Sequence, residues 1–119
     1  MAPIDEEDVA LLVKRYTESS AAHARATEVG DHVAANLAHD ALAEAYRELR
    51  RRRAQWVLLP LLEHPDLSVR VWAAAHALEF CPEQGEPVLK RAAEIPRGLV
   101  SFSAQMTLRQ WHDGKLRFP

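Results

Sequence analysis

"LLPLLEHPDLSVRVWAAAHALEF" (Leu58 to Phe80) joins a short apolar run to a proline-marked turn and a second run rich in alanine. Pro60 in the first run cannot donate a backbone hydrogen bond, so a short helix there is expected to bend. "HPD" reads as a tight turn, and Asp66 is a good N-cap for the helix that follows. That following helix, through Phe80, is apolar on several sides, which suits a helix packed between others. It nevertheless carries Arg70 in its first turns. A guanidinium there can lie flat over Ala73, Ala74 and Ala77, and if buried it needs paired acceptors. Asp66 one turn away, or Asp40, Glu44 or Glu48 of a neighbouring helix, is the expected carboxylate partner. Arg70 and Asp66 are therefore read as structural.

Working downstream, a shift of 30 residues lays the second half of the chain on itself. Leu58, Leu59 and Leu62 fall on Val88, Leu89 and Ala92, and the turn His64 to Asp66 falls on Glu94 to Pro96. Val69, Trp72, Ala74 and Leu78 fall on Leu99, Phe102, Ala104 and Leu108. Two similar helical hairpins stacked side by side would bury the face that neither can hide alone.

The first of these hairpins resembles a HEAT-type repeat, with its proline-bent first helix, its Asp66, Val69 and Arg70, and its alanine-rich second helix. The second departs from that pattern, since Val100 stands where the arginine would be. The longer run, including "GDHVAANLAHDALAEAYREL" and "VLKRAAEIPRGLVSFSAQMTLRQWHDGKL", resembles a small bacterial family known only as domain of unknown function twenty-nineteen. That resemblance implies a short helical array, similar in fold to HEAT and DNA-alkylation-repair helical-repeat proteins, and implies no activity.

Working upstream, Asp5 to Asp8 place carboxylates at a helix start after Pro3, where the helix dipole favours them. Val9, Leu12, Val13, Tyr16, Ser20, His23 and Thr27 then form a core-facing stripe. Gly30 suits the left-handed position that ends this helix, and Asp31 caps the next. The second helix runs from about His32 to an unmarked end between Arg53 and Trp56. Its expected core stripe is Val33, Leu37, Ala41, Ala45 and Leu49, widened by Leu42 and Tyr46. "CPEQGEP" breaks the chain before a helix over about Glu86 to Glu94. "IPRG" breaks it again before Leu99 to His112, and Gly114 ends that last helix.

The fold expected is all-α: a single domain over 1–119, folded as a short HEAT-like α-α superhelix. About six helices form three antiparallel hairpins, at 5–53, 54–81 and 83–113. A chain of 119 residues suits one hydrophobic core, and four glycines without β-branched runs favour helix. A net charge of −2 provides no global attraction to nucleic acid or to an anionic membrane. The lone Cys81 rules out an internal disulfide and fits a reducing compartment. "MAPIDEEDV" has no apolar core of signal-peptide length, and "WVLLPLL" is too short to span a bilayer. A cytoplasmic protein is expected.

Three clusters could carry chemistry or contact. Arg47 and Arg50 to Arg53 form the main basic run, which with Trp56 at the helix junction could touch a partner or nucleic acid. Adjacent residues fan around a helix, however, and Glu44 and Glu48 lie within a turn. A solvated helix end, favoured by the dipole, is the expected state. His32, His39 and Asp40 share a helical face with Asn36, where two imidazoles and a carboxylate could converge on a metal. Their spacing departs from that of zinc hydrolases. A polar face is expected instead, with Asn36 in a structural role, bridging helices by hydrogen bonds to a loop backbone. Cys81 lacks a neighbouring base, and Ser101 and Ser103 lack a nucleophile elbow. No enzyme activity, metal or cofactor is expected. The leading expectation is a protein-interaction module, with nucleic-acid binding through Arg47 and Arg50 to Arg53 as the alternative. A homodimer through an exposed edge of a terminal helix is left open.

Overall fold

Helices occupy most of the stretches where the sequence leads one to expect them. In a computed structural model that describes residues 6–119, five α-helices and one 3-10 helix appear, with no strand among the described residues. They are α1 (Glu6–Glu28), α2 (His32–Arg51), a 3-10 helix (Gln55–Glu63), α3 (Leu67–Phe80), α4 (Pro82–Ala93) and α5 (Leu99–His112). Pro3, Asp5 and the side chains of Glu6 and Glu7 lie outside the described residues. No helix among the described residues is long and apolar enough to cross a membrane.

The chain forms two compact units. The first extends to Val57 and takes in Pro119; the second runs from Leu58 to Phe118. In the first, α1 packs along α2. Tyr16, Leu42, Tyr46 and Leu49 are fully buried there, with Val9 and Leu12 beside them. Ser20 is also buried and donates its hydroxyl to the Tyr16 carbonyl at 2.8 Å, so its polarity is satisfied within α1. The α1–α2 turn is built as its sequence suggests. Gly30 takes φ +73°, Asp31 N–H reaches back to the Ala26 carbonyl at 2.9 Å, and the Asp31 carboxylate accepts Ala34 N–H at 3.0 Å.

The expected stripe of α2 holds in its C-terminal half, where Leu42, Ala45, Tyr46 and Leu49 are buried, and fails in its N-terminal half: Val33, Leu37 and Ala41 point outward, and Ala35 and Ala43 are buried instead. Apolar residues cover much of this helix, so periodicity alone allows two stripes. The larger Tyr46 and Leu42 take the side facing α1. The unmarked end of α2 is also explained. Arg53 occupies the left-handed position at φ 56°, a place glycine takes at the ends of α1 and α5. Ala54 N–H closes the motif on the Leu49 carbonyl at 2.9 Å.

The segment around Pro60 is a 3-10 helix and not a bent α-helix. Pro60 would crowd the carbonyl four residues back in an α-helix, and the tighter turn spaces that contact differently. In the second unit α3 packs against both α4 and α5, and α4 against α5. Val69, Ala73, Ala74 and Ala77 are buried to 1% exposure or less, as expected of an inner helix. The start of α4 corrects the sequence reading: "CPEQGEP" is helical from Pro82 onward. Pro82 stands at the first position, where the missing N–H has no helical partner to lose. Burial of Gly85, Val88, Leu89 and Ala92 holds the helix despite Pro87 inside it.

Candidate functional site

α2 carries most of the residues singled out above. At its C-terminal end the arginine run largely pairs within its own unit. Arg51 donates to Glu48 at 2.6 and 3.0 Å, and Arg52 donates to the same carboxylate at 2.8 Å. These two guanidinium groups, Arg51 first, hold the Glu48 carboxyl down at about 2. Arg52 also lies 3.8 Å from Asp8 of α1. Arg50 donates to the Pro119 carbonyl and sits over the Tyr46 ring, 5.6 Å from its centroid. Arg47 and Arg53 are exposed and pair with no carboxylate among the described residues. Trp56, just beyond, is exposed.

Beside that end a groove of about 470 Å³ opens between α1 and α2. Leu12 and Ala45 form its floor, and Arg15, Glu44, Glu48 and Arg52 bring both signs of charge to its walls. Such a groove has no net preference for an anion. The opposite end of α2 is apolar on its outside. Val33 and Leu37, one turn apart, are 72% and 66% exposed, and Val29 of the preceding turn is 79% exposed.

His32, Asn36, His39 and Asp40 all lie exposed. The Asn36 side chain makes no hydrogen bond among the described residues, so the expected bridge between helices is not formed there. His39 Nδ1 is 3.9 Å from Asp40. Its ring neighbour is His23 of α1, centroid to centroid 6.2 Å. His23, on the expected core stripe of α1, is half-buried, and that burial, followed by the charge of His39, lowers its pKa. Among the described residues no three His, Cys, Asp or Glu side chains are grouped so as to hold a metal.

In the second unit, Arg70 is a brace of a different kind from the one expected. Its Nη1 donates to the carbonyls of His64 and Pro65 at 2.7 and 3.0 Å, and no carboxylate pairs with it among the described residues. The reason is local. The turn before α3 leaves carbonyl oxygens without helical partners, and a guanidinium one turn into the helix reaches them. Asp66 is occupied on the other side of the same turn. It accepts Ser68 N–H at 2.9 Å and the Ser68 hydroxyl at 2.6 Å, which lowers its pKa. His64 Nδ1 accepts Asp66 N–H at 3.0 Å, which completes the turn. Cys81 caps the junction of α3 and α4 and donates its thiol to Glu83 at 3.2 Å. Partial burial and then Glu83 push that thiol up, away from the reactive thiolate.

An all-helical hairpin protein whose polar groups mostly satisfy the fold is thus the class defined here. The chain belongs to the family described as Domain of unknown function (DUF2019), whose model matches residues 8–112. A crystal structure of the protein RPA1889 from Rhodopseudomonas palustris CGA009 is similar to it, with a TM-score of 0.78 at 25% identity. The match covers 98% of this chain and 95% of that one. No curated protein matches the chain.

Proposed function

We propose that this chain is a non-enzymatic protein-interaction module, a short HEAT-like helical array of the bacterial cytoplasm serving as an adaptor or immunity-type protein. The observation that carries the reading is the outward apolar edge of α2, Val33 and Leu37, continued by Val29. Burying one such side chain is worth about 1.5–3 kcal/mol, so three adjacent ones make a useful anchor for a partner's apolar surface. Asn36 and Asp40, exposed alongside, suit the polar rim of such a contact. The self-pairing of Arg51 and Arg52 with Glu48 favours this reading over nucleic-acid binding. Phosphates would have to compete with a carboxylate already held at 2.6–3.0 Å.

The test is affinity capture from the source cell with the wild-type chain and a Val33→Glu/Leu37→Glu pair. Both positions are exposed, so the pair should keep its helical circular dichroism and melting temperature. It is expected to lose a protein that the wild-type captures. Capture unchanged by the pair, or of nucleic acid alone, would contradict the reading.

A further inference from the structure

We infer that the outer face of α5 binds α5 of a second copy of this chain, antiparallel, in a weak two-fold dimer. The surface is distinct from the α2 edge, so either can fail without the other. Along α5 the residues Leu99, Phe102, Met106 and Arg109 fall at helical spacing on one stripe. Leu99 and Phe102 are 54% and 59% exposed, and Ile95 before the helix is also open. The buried side of α5 is marked by Ser101 and Ala104 instead. Ser101 is tied inward, its hydroxyl donating to the Ile95 carbonyl at 2.7 Å.

The 30-residue correspondence shows what such a stripe does when it is covered. Val69, Trp72 and His76 of α3 stand where Leu99, Phe102 and Met106 stand in α5. Val69 and His76 are buried and Trp72 half-buried, whereas on the α5 stripe Leu99 and Phe102 are exposed and Met106 is only half-buried. A terminal repeat that keeps an apolar outer face is suited to another helix of the same kind.

Charge selects the occupant and its direction. Glu94 and Arg97 flank the start of the stripe, and Asp113 and Lys115 flank its end. In an antiparallel pair with its dyad near Gln105, Arg97 meets Asp113 of the other copy and Glu94 approaches its Lys115. Phe102 then inserts between the other copy's Met106 and Arg109, where a guanidinium can lie on the ring. A parallel pair would instead set Arg97 against Arg97. Self-complementarity of this kind is what a two-fold contact requires, since each patch meets its own copy. One helix face of 14 residues is small beside the roughly 800 Å² per partner of a stable interface, so the dimer is weak and concentration-dependent.

Sedimentation velocity of the full chain from about 10 µM to about 1 mM tests this, a range set by that small area. The expected mass rises from 13.4 kDa toward twice that value. Phe102→Glu should shift the midpoint at least tenfold upward. Arg97→Asp and Asp113→Arg should each weaken association, and the two together should restore it, a recovery that no general loss of folding would produce. A monomer throughout the range would overturn the proposal. So would association indifferent to Phe102→Glu, or a charge swap that restores nothing.

Discussion

Arg70 shows how a side chain's partner can escape the sequence. Its place among alanines in the first turns of α3 leads one to expect a paired arginine, but sequence could not rank a carboxylate against two carbonyl oxygens brought close by the turn. Charge-assisted bonds to the His64 and Pro65 carbonyls replace the expected ion pair. Arg70→Ala should therefore lower stability by about 1–3 kcal/mol, measured by urea denaturation. Because the lost acceptors are carbonyl oxygens, which do not titrate, the loss should be nearly the same at pH 7 and pH 9. Glu48 is the converse case, a carboxylate held by two arginines four residues away or less. Its folded pKa of about 2 lies below its ordinary 4.5, so the ionised form is favoured by folding. That contribution is complete above about pH 4.5 and fades as pH falls toward about 2. Solvent exposure keeps it modest. Glu48→Gln should flatten the acid limb of a stability-against-pH curve across that window and leave its shape near neutrality unchanged.

Among the elements, α2 and α4 mark where periodicity stops being informative. Caps and stops were readable at Gly30, Asp31, Asp66 and Gly114 because each has a local mechanism. The face of the N-terminal half of α2 was not, because a helix apolar on two stripes is oriented by its neighbour. The end of α2 was hidden because an arginine, not a glycine, holds the left-handed position. Gly85, inside the run expected to break the chain, lets α4 approach α3. A Cβ there would lie 2.6 Å from the Ala74 carbonyl oxygen and 3.0 Å from the Ala77 Cβ. The first contact is with backbone and cannot rotate away. Although alanine is the better helix former by up to about 1 kcal/mol, overpacking costs about 1–3 kcal/mol. Gly85→Ala should therefore lower the melting temperature, and an increase would show that α4 slides without cost.

For the molecule as a whole, composition and spacing made the all-helical class readable, and the outward surfaces were not. Of the two exposed apolar stripes, Val33 with Leu37 on α2 belongs to the expected core stripe, and Leu99 with Phe102 on α5 matches core-facing positions of α3 in the repeat. A sequence states that a side chain is apolar; only packing decides whether this chain or another one covers it. Several polar groups pair within the fold, Arg51 and Arg52 with Glu48 and Arg70 with its own turn, while His32, Asn36, His39 and Asp40 lie exposed without grouping into a site. The central claim is consequently that the α2 edge, not a polar cluster, meets the partner. Photo-crosslinking in the source cell from position 37, with exposed Arg25 as the control position, tests it most directly. A protein adduct of one defined mass from position 37 and none from position 25 is predicted. Equal labelling from both positions, or an adduct to nucleic acid, would contradict it.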